Sequence, residues 1–151
     1  HGFLAGEFGD RVQPGLALSF VGDPQNDGLL EMVEILGLNL HADLVTLSAC
    51  NTGRGGGDDR GEGFAGLTRS FMYAGAESLA VTLWSVESLS AQQLAEAFYR
   101  GLPHGSRAQA LAKAKREFIR NAYSIDLDKQ HQVSSAHPFF WAPFILVGEG
   151  R

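Results

Sequence analysis

Apolar residues fall in blocks whose spacing alternates between strand and helix. Leu16 to Val21 is an apolar run of strand length, closed by turn signals at Asp23-Pro24 and Asn26-Asp27-Gly28. From Leu29 to Leu36 the apolar positions Leu29, Met32, Val33 and Leu36 recur at three and four residues, which predicts a helix stopped at Gly37. Asp43 to Cys50 (DLVTLSAC) is nearly continuous apolar sequence, as a strand covered on both faces requires. Glu77 to Trp84 (ESLAVTLW) is a second such strand, and Phe144 to Gly148 (FILVG) a third. Between them, Phe64 to Ala74 reads as a helix ended by Gly75. A further helix opens at Ser88 or Ser90 and runs to Leu102, with Leu94, Ala97, Phe98 and Leu102 on its buried side; Pro103 and Gly105 end it. Ser106 caps the next helix, which extends to about Ala122 and carries Ala108, Leu111, Ala112, Lys115 and Phe118. The polar stretch from Ser124 to Ala136 reads as a loop.

Strands alternating with helices predict an α/β domain built on a mainly parallel sheet. In such sheets, functional atoms gather beyond the carboxyl ends of the strands. Cys50 ends one predicted strand, and Ser85 and Glu87 follow another, so both points face one crevice. The segment from Asn51 to Gly63 holds six glycines among charged residues and predicts an exposed loop, because it has little apolar surface to offset its ordering entropy. There is no internal repeat and no low-complexity linker.

Composition narrows the classes. The 151 residues fit a domain of ordinary size, and 44% hydrophobic against 19% charged residues supports a packed core rather than wholesale disorder. No apolar run approaches the roughly 18–20 residues that span a bilayer, so a membrane span is not expected, and no signal-peptide pattern opens the chain. Formal net charge is −5, and the sequence pI is about 5.4. Arg107, Lys113, Lys115, Arg116 and Arg120 cluster, but at helical spacing they read as a solvated helix face. Nucleic acid is therefore not an expected partner. The single cysteine, Cys50, forms no internal disulfide and no thiolate zinc site, and the five histidines show no metal-ligand spacing around it. No metal or cofactor is expected, and a lone thiol fits a reducing, cytoplasmic location.

Cys50 sits where a buried strand passes into the glycine-rich loop, flanked by the small residues Ser48, Ala49 and Gly53. On position alone, such a thiol reads as a small hydrophobe at a strand end. His1 offers another role, since an imidazole beside a thiol favours the nucleophilic thiolate. It precedes Gly2 and lies 49 residues before Cys50; the caspase signature places the catalytic histidine about 50 residues upstream of its cysteine. The backbone N–H of Gly2 and that of Cys50 are candidate oxyanion donors. A Ser-based triad lacks its Gly-x-Ser-x-Gly elbow. A phosphate loop over Gly53 to Gly63 lacks the Lys-Ser or Lys-Thr that such loops require.

Three blocks in order, LVTLSACNTG, GEGFAGLTRSFMYAGAESLAVTLWSV and HPFFWAPFILVG, together with His1-Gly2, resemble the hallmarks of CHAT domains. These are caspase-like domains often joined to tetratricopeptide repeats, in the clan of caspases, separases and clostripain-type peptidases. The resemblance runs from His1 to Gly148. It implies a three-layer α/β/α fold, with residues 1–151 forming the C-terminal, dyad-bearing part of the domain. It also implies that His1 and Cys50 are the catalytic pair, that Gly2 and Cys50 supply the oxyanion hole, and that the reaction is peptide hydrolysis through an acyl-enzyme. Implied partners are a protein or peptide substrate and tetratricopeptide repeats in the same chain or a regulatory partner. A catalytically silent interaction module is the alternative with the same fold.

Two departures accompany the resemblance. Asn51 stands where many relatives carry Glu. The chain also starts at the matched histidine, so the family's first strands are expected upstream, and an α-amino group with a pKa near 8 would sit on His1. Ser85 and Glu87 follow the strand that walls the specificity pocket in caspase-like folds. Glu87 is a candidate acceptor for a basic side chain; equally, Glu87 and Ser88 open the next helix, where an acid suits the dipole. Asp58, Asp59 and Glu62 read as solvated loop charges. His137-Pro138 and the aromatics Phe139, Phe140 and Trp141 read as structural, packed over the last strand, and His41, His104 and His131 receive no role.

Overall fold

The computed structural model describes residues 2–3, 13–19, 22, 27–47, 61–126 and 131–151. Contacts divide the chain into two compact units, His1–Ser85 and Val86–Arg151. The architecture is mixed α/β, with short strands and helices interleaved along the chain.

The first unit opens on an antiparallel meander of β1 (Gly2–Phe3), β2 (Gly15–Ala17) and β3 (Leu29–Glu31). Gly2 faces Leu16 across β1 and β2, and Leu16 faces Leu30 across β2 and β3. The predicted helix from Leu29 therefore begins three residues later: α1 spans Met32–Leu36. Gly28 adopts φ +75°, the Leu29 N–H donates to Asp27 Oδ1 at 3.0 Å, and the Leu18 N–H donates to the Gly28 carbonyl at 2.7 Å. That turn delivers residues 29–31 to β2, whose backbone satisfies theirs before the helical face can form.

β4 (Val45–Leu47) and β5 (Ser78–Thr82) pair in parallel, with Leu47 opposite Val81. The pairing extends backward through a parallel bridge between Ala42 and Ala76. Every residue of β5 is buried, as its nearly continuous apolar run predicts. Ser78 donates its hydroxyl to the Asp43 carbonyl at 2.7 Å, so its burial leaves no orphan donor. Between the two strands lies α2 (Gly61–Tyr73), with Leu67 and Phe71 buried. Gly75 ends the turn after α2 at φ +108°, and a Cβ there would collide with the Leu40 carbonyl. This glycine is required twice over, by its left-handed backbone and by the close approach.

The second unit packs α3 (Ser88–Gly101) on α4 (Arg107–Asn121), with the 3-10 turn Leu102–His104 between them. Leu94 and Phe98 of α3 and Leu111, Ala114 and Phe118 of α4 form the buried faces. A Cβ on Gly101 would lie 3.1 Å from the Ala110 Cβ, so the glycine sets how closely these helices approach. Ser106 caps α4 as predicted, accepting from the Gln109 N–H at 3.2 Å while Gln109 Oε1 accepts from the Ser106 N–H.

Ser124 to Ala136 is not a plain loop. β6 (Ser124–Asp126) and β7 (Gln132–Ser134) form an antiparallel pair, with Ile125 buried opposite Val133. The polar residues alternate outward, and Gln132 bridges Ser124 and Asp126 through its amide at 3.1 and 2.7 Å. A period of two in six polar-rich residues carries this pairing. After it come α5 (Pro138–Trp141) and β8 (Phe144–Gly148), the latter with the predicted bounds.

Candidate active site

Parallel pairing of β4 and β5 places their carboxyl ends side by side, with Leu47 and Val81 in register. β4 leads in sequence toward Cys50, three residues past Leu47. Cys50 and His1 lie outside the described residues, as do Ser48, Ala49, Asp58 and Asp59. Gly2, the candidate oxyanion donor beside His1, is described as backbone in β1, opposite Leu16. Ser85 is exposed after β5.

Glu87 has a definite local role. It is the N-cap of α3: Oε1 accepts from the Leu89 N–H at 2.7 Å and Oε2 from the Ser90 N–H at 2.8 Å. The Ser90 hydroxyl donates to Oε2 at 3.0 Å. Of the candidate openings Ser88, Ser90 and Glu87, the carboxylate takes the cap, as the reading of Glu87 as a helix-opening acid expects, because two oxygens satisfy two orphan amides where one hydroxyl satisfies one. The Leu89 and Ser90 bonds hold the Glu87 carboxyl below its usual range, against an opposing desolvation. The sequence signal for the Ser90 contact is an acid followed three residues later by a hydroxyl.

His137 is structural. Its Nδ1 accepts from the Phe139 N–H at 3.2 Å, and its ring meets Phe140 edge-on at 6.5 Å. Trp141 donates its indole N–H to the Ala136 carbonyl at 3.0 Å. Lys115 departs from the solvated basic face predicted for it. It is half-buried, with Nζ 5.8 Å from the centre of the Trp141 ring, and burial lowers its pKa. The signal was present in the sequence, since Lys115 falls on the apolar side of α4 between Leu111 and Phe118. No helix among the described residues is long and apolar enough to cross a membrane.

The class is a mixed α/β domain with a parallel strand pair, β4 and β5, and the cysteine follows β4 in the sequence. The chain belongs to the CHAT domain family, whose model matches residues 1–149. Tetratricopeptide repeat protein 28 of Mus musculus is 30% identical over 125 residues, covering 83% of this chain. The protein of the same name from Homo sapiens is 28% identical over the same length. The chain spans about 5% of the length of these curated relatives. No solved structure matches it.

Proposed function

We propose that this chain is the dyad-bearing part of a caspase-like cysteine endopeptidase, with Cys50 as nucleophile and His1 as its base. The observation that carries the reading is the span of the family match, residues 1–149, which takes in both His1-Gly2 and Cys50. In this reading the sheet belongs to a three-layer α/β/α domain and is mainly parallel. The imidazole of His1 takes the thiol proton, and the thiolate attacks the peptide carbonyl carbon. The amides of Gly2 and Cys50 hold the resulting oxyanion. The amine leaves with a proton from the imidazolium, and water then hydrolyses the thioester. No cofactor takes part.

Ser85 and Glu87 contribute to substrate selection in the same reading. The cap bonds hold the Glu87 carboxylate in place, and a carboxylate has about four lone-pair sites, so capacity remains for a basic side chain. The relatives' name supports tetratricopeptide repeats as a regulatory partner, in the same chain or another. A cytoplasmic setting accords with a thiol that must stay reduced.

The test is alkylation and turnover in the full-length protein. Cys50 is expected to react with iodoacetamide faster than a free thiol at neutral pH, and the His1→Ala variant is expected to lose that excess. Cleavage of a peptide library is expected to fall by about a thousandfold or more in Cys50→Ala. Ordinary thiol reactivity unaffected by His1→Ala, with no turnover, would leave a catalytically silent module that binds peptides or partners.

A further inference from the structure

We propose that the groove between α3 and α4 is a binding site for a free basic α-amino acid of the lysine class. Close packing at one end and small side chains beyond it make the groove. Gly101 and Ala110 bring the helices together where the chain turns from one to the other. Further along the pair, Ala97 of α3 and Ala114 of α4 line a depression that their methyl groups leave unfilled, and Phe118 joins them in its lining. Tyr123 bounds it beyond the end of α4, with its ring edge-on to Phe118 at 5.8 Å and its hydroxyl accepting from Asn121 Nδ2 at 2.7 Å. The depression has a volume of about 150 Å³. Drug-sized ligands occupy pockets of about 300 Å³ or more, so the fitting occupant is a small molecule.

Three charged groups line this depression and set its chemistry: Glu96 and Arg100 on α3, and Glu117 on α4. Glu96 and Arg100 have the spacing of a helical ion pair. Among the described residues, however, neither they nor Glu117 form one, and the Glu96 carboxylate instead accepts from Gln92 Nε2 at 2.8 Å. Each group therefore keeps bonding capacity for a ligand. An anion alone would meet two carboxylates, and a cation alone would meet the guanidinium. One negative and two positive groups complement all three, and a lysine-class amino acid carries that set on a small frame. Its carboxylate accepts from the Arg100 guanidinium, whose planar fork matches a carboxylate. Its two ammonium groups donate to Glu96 and Glu117, and its methylene chain covers the apolar floor at Ala97 and Ala114. The site uses neither residue of the proposed dyad.

The experiment titrates L-lysine into the full chain and follows backbone amide shifts by NMR. Saturable binding is expected, with a dissociation constant of about 1 mM or tighter, and with shifts concentrated in the segments of α3 and α4 that line the groove and at Tyr123. Norleucine keeps the zwitterion and lacks the second ammonium; cadaverine lacks the carboxylate. Each is expected to bind about tenfold more weakly than lysine. The Arg100→Gln and Glu117→Gln variants are expected to lose lysine affinity by about the same factor, with the dispersion of their spectra reporting that they fold. The comparison of lysine with its two analogues is made on the native chain and decides the charge pattern whatever the variants do. No saturation by about 10 mM lysine overturns the proposal. Equal binding of norleucine or cadaverine does so too, as do shifts centred elsewhere or an affinity unchanged in both variants.

Discussion

Three bonds to one carboxylate fix the start of α3. Glu87 satisfies two of the four amides that any helix leaves open at its start, and Ser90 steadies it with a hydroxyl. Glu87→Ala is expected to cost about 1 kcal/mol of stability, read from urea unfolding at neutral pH. The pH dependence has a fixed sign. The folded pKa lies below the ordinary value, so the contribution is complete above the unfolded glutamate pKa, about 4.3, and declines as pH falls through the depressed folded value. The difference between native and Glu87→Ala chains is expected to shrink on acidification through that range. A difference constant with pH would show that the cap acts without its charge.

At the scale of elements, glycine decides two approaches that apolar periodicity leaves open. Gly75 turns the chain from α2 toward β5 at a positive φ and lies against the Leu40 carbonyl, while the Leu40 N–H donates to Ala74 at 2.6 Å. Gly75→Ala combines a strained backbone with a collision and is expected to cost about 1–3 kcal/mol, measurable as a lowered thermal midpoint. A neutral substitution would mean that Leu38–Leu40 can move aside freely. The same scale shows where pattern reading errs. Leu29 to Leu36 has helical spacing throughout, yet its first three residues pair with β2 because the turn at Gly28 delivers them there. Ser124 to Ala136 looked too polar for structure, although one buried residue, Ile125, suffices to fix the register of a short pair.

For the whole molecule, burial ranks the elements. β5 is buried along its full length, and the facing sides of α3 and α4 hold Leu94, Phe98, Ala114 and Phe118 at 3% exposure or less. β6 and β7 contribute mostly exposed residues. Native-state hydrogen exchange is therefore expected to be slowest in β5 and in the middle of α3 and α4, and much faster in β6 and β7. Equal protection across these elements would contradict this ranking. Within each unit, the ordering reflects how much apolar surface each segment removes from water rather than its helical or strand propensity.

By itself the sequence determined the elements whose apolar pattern is long and unambiguous: β5, β8, α2 and the cap-to-end span of α4. It also supplied family membership through three ordered blocks and the pairing of His1 with Cys50 as a candidate dyad. Tertiary structure alone decided that β4 and β5 run side by side and that Lys115 rests on Trp141. The physical reason is range. Periodicity and propensity act over a few neighbouring residues, whereas strand register and the desolvation of a lysine depend on which distant groups arrive in the same place.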